Sequence, residues 1–180
     1  MKSLSNNLFN YATSELSQDA FICYLVSFLL EENVNKNEEL NKCAVDFVNV
    51  ILPKEANIEY RVPITNVQGD NNKQAINKQY KNINVYLIVN GYHIIIEDKT
   101  FTYSHDNQID RYTDTLIEEG IPKEEIIRVY YKIVEQSEKE ETDKKDLPIV
   151  ELYRDKILSI LNKYVRNAND KIFTDYVEYL

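Results

Sequence analysis

The chain has no tryptophan, three glycines, four prolines, two histidines and two cysteines among its 180 residues. Two histidines, His93 and His105, are too few to build a histidine-based zinc site by themselves. Cys23 and Cys43 stand in apolar helical stretches without metal-ligand spacing, so they read as buried, reduced thiols. No apolar run approaches the roughly 18 residues of a membrane-spanning helix. The stretch Ala20 to Leu30 is interrupted by Ser27, bounded by Glu31 and Glu32, and reads as a buried helix. Met1 to Asn10 lacks the basic patch and small-residue cleavage site of a signal peptide, which makes the cytoplasm the expected location. Positive charge is also short: 21 Lys and Arg face 30 Asp and Glu, for a net charge of -9. That weighs against strong non-specific duplex binding by this chain alone. It leaves room for a protein that meets phosphate through carboxylate-held divalent cations, whose charge a formal count omits. The scarcity of Gly, Pro and Trp beside abundant Asn, Lys, Ile and Tyr is the composition expected of an AT-rich genome and carries no functional signal.

The length and the share of apolar residues, 43%, predict one globular domain over residues 1–180 with a single sizeable core. No internal repeat is visible. Ser17 is placed to cap a helix running to about Glu32, with Asp19 in its first turn. Leu40, Ala44, Phe47, Val48 and Ile51 share a stripe that predicts a helix over Glu38 to Leu52, ended by Pro53. Ile58, Tyr60, Val62 and Ile64 alternate with polar residues and predict a strand, with Pro63 marking its edge or end. Gln68 to Lys81 is polar and Asn-rich and reads as a loop. Ile83 to Val89 and Tyr92 to Lys99 predict two strands joined by the Asn90-Gly91 turn. A helix over His105 to Glu119 is closed by Gly120. A fourth strand follows over Ile126 to Val134, then the charged loop Glu135 to Asp146. Two apolar stripes, Ile157 to Val165 and Ile172 to Leu180, predict closing helices. The order is α-α-β-β-β-α-β-α-α, an α/β fold whose mixed sheet of about four strands is flanked by helices. The apolar face reaching Leu180 fits a domain cut short at its C-terminus.

The chemistry-bearing stretch is Ile83 to Tyr112. Glu97 and Lys99, two apart on one strand, share a face, and Asp98 points to the other. A Glu and a Lys at the end of an Ile-rich buried strand cost free energy unless they are paired or metal-bound. The same tripeptide also occurs as a plain ion pair where a strand meets solvent. Context favours a site. Asn84 on the preceding hairpin strand comes across from Glu97. His105, Gln108 and Tyr112 fall at i, i+3 and i+7 on one helix face. Asp98, Asp106 and Asp110 have ordinary structural readings, the last two as acidic residues in a helix's first turn.

A strand with an acidic position, a turn, a strand ending in Glu-x-Lys and a helix bearing Gln108-Ile109-Asp110-Arg111-Tyr112 resembles the PD-(D/E)XK nuclease superfamily, in particular its RecB-like branch with a Q-h-x-x-Y motif. Ala12 to Phe21 is similar to the opening helix of bacterial members, and Ile172 to Leu180 to their ending. The resemblance covers most of the chain. It implies a restriction-endonuclease-like fold and Mg²⁺- or Mn²⁺-dependent hydrolysis of phosphodiester bonds, in DNA more readily than RNA. The setting would be phage defence or mobile elements, with a homodimer among the expected assemblies. By the same resemblance, Glu97 binds the metal with the backbone carbonyl of Asp98, and Glu15 completes the acidic cluster. Lys99 orients the attacking water, while Gln108 and Tyr112 position nucleophile or substrate. The departure is Asn84, where the family pattern has Asp. An engineered inactivating substitution and a naturally weakened or dead nuclease account for it about equally well, and better than compensation by another carboxylate such as Glu15.

Overall fold

A computed structural model describes residues 6–11, 14–64, 76–80, 83–98, 108–133 and 148–180. Among the described residues there are five α-helices: α1 (Ser14–Val26), α2 (Glu38–Asn49), α3 (Gln108–Glu118), α4 (Arg154–Leu161) and α5 (Lys171–Tyr179). Five strands, β1 (Ile76–Tyr80), β2 (Ile83–Val89), β3 (Tyr92–Asp98), β4 (Ile126–Lys132) and β5 (Ile149–Tyr153), form one sheet in sequence order. β1, β2 and β3 are an antiparallel meander, and β3, β4 and β5 run parallel. The mixed α/β class is the one the sequence predicts, but β1 and β5 are unexpected and one expected strand is absent. Among the described residues, no helix is long and apolar enough to cross a membrane.

The hairpin between β2 and β3 turns on Asn90 (φ 49°) and Gly91 (φ 90°). Two consecutive positive φ values are what a two-residue turn of the matching twist requires, and Asn-Gly adopts them at least cost. α2 starts where Asn37 accepts a hydrogen bond from the Leu40 amide at 3.1 Å, and α5 where Asp170 accepts from the Phe173 amide at 2.8 Å. α3 ends as Gly120 turns left-handed at φ 87° and Ile121 N–H bonds the Leu116 carbonyl.

Side-chain alternation divides the core into two layers. Val85, Leu87, Val89, Ile94, Ile96, Val129 and Tyr131 pack against α1, α2, α4 and α5. Tyr86, Ile88, Ile95, Ile126 and Tyr130 pack beneath α3 through Ile109, Tyr112 and Leu116. β3 is therefore covered on both faces, which is why Ile94-Ile95-Ile96 runs apolar without interruption. Each fully buried Ile contributes about 1.5–3 kcal/mol relative to exposure.

Three expectations are corrected. Ile58 to Ile64 is no strand. Asn49 bonds both the amide and the carbonyl of Ile58, Asn41 accepts the Arg61 amide, and Ile64 N–H reaches the Leu29 carbonyl. Side chains and loop thus take the backbone bonds that a partner strand would have supplied. The end of the polar segment 68–81 is strand β1, an edge strand, where polar residues are tolerated. IVELY, unassigned by its pattern, is β5 at the other edge. Ser17 does not cap α1; it lies buried one turn inside a helix that starts at Ser14.

Candidate active site

In an open sheet with parallel strands, ligands gather beyond the carboxyl ends of those strands. Glu97 lies near that end of β3, Lys132 closes β4 and Tyr153 closes β5. β2 runs the opposite way, so Asn84, near its start, reaches the same end.

Register lines these residues up. Val85 pairs with Ile96, and one step further along the same register Asn84 falls opposite Glu97. Glu97 pairs with Tyr130, and Tyr130 with Glu151. Directly opposed residues share a face. Asn84, Glu97, Tyr130 and Glu151 therefore form one row across four strands, on the face that α3 covers. Glu97 is buried at 4% exposure, whereas Asn84 is half-buried. The sequence expectation that Asn84 and Glu97 come together is met.

α3 brings Gln108 and Tyr112 over this face. The Gln108 amide Nε2 donates to the Tyr112 hydroxyl at 2.5 Å. Burial raises the Tyr112 hydroxyl above its ordinary value; the Gln108 bond opposes this, and the negative charge of Glu97 adds to it. Tyr112 is thus within electrostatic reach of Glu97. Asp98 faces the other way. Its charge acts on the hydroxyls of Tyr131 and Tyr176, in the layer between the sheet and α5. Only its backbone could join a site centred on Glu97, as the resemblance implies. Glu15 lies on α1 by its backbone; its side chain, like Lys99, His105 and Asp106, falls outside the described residues.

Four contributors to this face went unnoticed in the sequence. Lys132, at 2% exposure, places Nζ 3.0 Å from Glu151 Oε1, 5.1 Å from the Tyr130 ring centre and 5.5 Å from that of Tyr153. The Tyr153 hydroxyl donates to Glu151 Oε2 at 2.6 Å. Burial pushes the Glu151 carboxyl up, but the bonds from Tyr153 and Lys132 together with the Lys132 charge outweigh it and hold the carboxyl below its usual value. One step inward on β4, Arg128 is paired with Asp110 of α3. The visible signal was a lone Arg and a lone Lys on one face of the otherwise apolar strand IIRVYYK. Asp110 sits in the first helical turn as expected, yet it is buried against Arg128 and does not simply face solvent. Further along the same face, the Tyr86 hydroxyl and His93 Nδ1 form a short, buried hydrogen bond.

Oxygen donors at this end suit a hard cation in kind. Glu97 offers a carboxylate, Asn84 an amide oxygen and Asp98 a backbone carbonyl. Mg²⁺ is commonly held by one or two carboxylates with water and phosphate completing its shell. Among the described residues, no group of three His, Cys, Asp or Glu side chains converges as a metal cage. A pocket of about 570 Å³ lies elsewhere, between the N-terminal turn and α5, and shares none of the row's residues.

No known protein family, curated protein or solved structure matches the chain.

Proposed function

We propose that this chain is a metal-dependent nuclease of the PD-(D/E)XK kind, with a restriction-endonuclease-like arrangement, weakened by Asn84. The observation that carries the reading is the buried carboxylate of Glu97 at the carboxyl end of a central strand, opposite Asn84 and beneath the Gln108–Tyr112 pair. Burying a carboxylate costs free energy that hydrogen bonds or positive charge must offset. A cation-binding role accounts for keeping it there.

In this reading Glu97, the Asn84 amide oxygen and the Asp98 carbonyl hold Mg²⁺ or Mn²⁺, with Glu15 as a further carboxylate. The ion supplies a polarised water and stabilises charge on the scissile phosphate. Lys99, two residues after Glu97 in the sequence, orients the attacking water. Gln108 and Tyr112 hold the nucleophile or the substrate backbone. Asn84 keeps the shape of an aspartate but removes one negative charge, so metal affinity falls. A second reading follows from Asn84: a nuclease-like module that binds nucleic acid or a protein partner without cleaving it.

The test is a Mn²⁺-dependent cleavage assay on DNA and RNA with three forms: the chain itself, Asn84→Asp, and Asn84→Asp combined with Lys99→Ala. The nuclease reading expects cleavage to appear or rise with the aspartate and to vanish without Lys99. If no form cleaves and titration calorimetry finds no Mn²⁺ bound, the enzyme is ruled out and the binding module remains.

A further inference from the structure

We propose that Lys132 is a phosphate-binding residue of this site, held by Glu151 until a nucleic-acid phosphate replaces it. The inference rests on the nuclease-like reading for its ligand but on separate residues for its geometry.

Lys132 lies two residues beyond Tyr130 along β4, roughly 7 Å at strand rise. Its ammonium does not continue outward. It folds back over the Tyr130 ring, 5.1 Å from the centre. Tyr130 is the residue flanked in register by Glu97 on one side and Glu151 on the other. The ammonium is therefore carried into the row that contains the candidate metal-binding carboxylate.

The two halves of the Lys132–Glu151 pair are unequally placed. The lysine side chain is 2% exposed and that of Glu151 42%. The cation is the partner fixed inside the protein, between the rings of Tyr130 and Tyr153. The anion stands at the rim, where it also accepts from the Tyr153 hydroxyl at 2.6 Å. A pair that only joined two strands would gain nothing from this asymmetry. A phosphate-binding lysine would: the desolvated ammonium stays in place while one anion is exchanged for another. Lysine suits that exchange, being a compact point charge that does not depend on a planar fork. Arg128, the next cation inward on the same strand face, is committed to Asp110 at 2.6 Å and is fully buried. Lys132 is thus a buried positive charge set against the row that contains Glu97, in a chain whose net charge is -9.

The experiment is fluorescence anisotropy with labelled single-stranded and duplex DNA and RNA oligonucleotides, in EDTA, across a salt series. Without metal, binding is read independently of cleavage. Lys132→Met is expected to weaken binding about tenfold and to reduce the slope of log K against log salt by about one, the signature of one lost phosphate contact. Lys132→Arg retains the slope. Glu151→Gln removes the competing anion and tightens binding several-fold. Circular dichroism establishes that each variant is folded; should Lys132→Met not fold, the sign of the Glu151→Gln effect decides. Wild-type affinity and slope in both Lys132→Met and Glu151→Gln would make the pair a cross-strand tie and overturn the proposal while leaving the Glu97 site intact. Absence of binding by every form, the unaltered chain included, overturns the phosphate-binding role of Lys132, while the Mn²⁺-dependent cleavage assay decides the Glu97 site separately.

Discussion

Arg128 Nη1 on β4 lies 2.6 Å from Asp110 Oδ1 on α3, and no part of the Arg128 side chain reaches solvent. The pair crosses from the sheet to the helix that carries Gln108 and Tyr112, so it sets how α3 is rotated over the site. Neither charge can be rehydrated in place. Asp110→Ala is therefore expected to cost about 3–5 kcal/mol, because it takes the carboxylate at 2.6 Å away from a buried guanidinium. Replacing both partners, Asp110→Leu with Arg128→Met, recovers most of that loss. Urea unfolding of the three forms measures it, and a single-variant cost below about 1 kcal/mol would mean that water reaches Arg128.

The Gln108–Tyr112 bond separates stability from function. Tyr112→Phe keeps the buried ring and removes one neutral hydrogen bond, so stability should fall by only about 1 kcal/mol. If the hydroxyl positions substrate beside Glu97, kcat/KM of the Asn84→Asp form drops about five- to tenfold, the kinetic equivalent of one such bond. An unchanged kcat/KM would assign Tyr112 to packing alone.

On the opposite face, Tyr176 donates to Gln18 and lies 2.9 Å from the Tyr131 hydroxyl, while its ring stacks on Phe21 with centres 3.5 Å apart. Tyr176→Phe preserves the stack and deletes the hydroxyl from a fully buried network. The expected cost is about 1–3 kcal/mol, the penalty for leaving buried polar partners unmatched. Thermal unfolding gives the value. Oligonucleotide affinity should not move, since Tyr176 faces away from the Glu97 row; a parallel loss of binding would contradict that placement.

Alkaline pH should destabilise the protein in two stages. Burial raises the Cys43 thiol above its usual 9.0, with the Asp46 charge adding to it. Burial likewise raises the hydroxyls of Tyr24, Tyr131, Tyr164 and Tyr176 above 10.0, with Asp170 reinforcing Tyr24 and Asp46 reinforcing Tyr164. In each case the folded chain keeps a proton that the unfolded chain releases. These groups contribute their full stability below the unfolded values and lose it as pH rises past them. Urea midpoints should decline from pH 9.0 upward and more steeply beyond 10.0. A midpoint unchanged across that range would show that these groups are hydrated in the folded state.

Much of the chain was legible because its signals are local. Asn90-Gly91 needs no distant partner to specify its turn, and the apolar stripe of α2 and the run Ile94-Ile95-Ile96 declare their burial by period alone. Asn84 and Glu97 could be placed together because a two-residue turn leaves only one register for the hairpin. The strand expected over Ile58 to Ile64 failed for the complementary reason. Its alternation was real, and Ile58 and Ile64 are buried, but Asn41 and Asn49 of α2 had already taken its backbone bonds. Both edge strands escaped notice, since a strand with one neighbour and a solvated side need not be apolar.

The sequence by itself determined the α/β class, the β2–β3 hairpin and the helix that places Gln108 beside Tyr112, all consequences of contacts within a few residues. Only the tertiary structure decided that Tyr130 and Glu151 share a row with Glu97, that Lys132 pairs with Glu151, and that Asp110 is an ion-pair partner for Arg128. Those relations depend on the register of parallel strands joined by long crossovers. No periodicity in the intervening chain encodes that register; it is settled when two layers of side chains find the one alignment that buries them together.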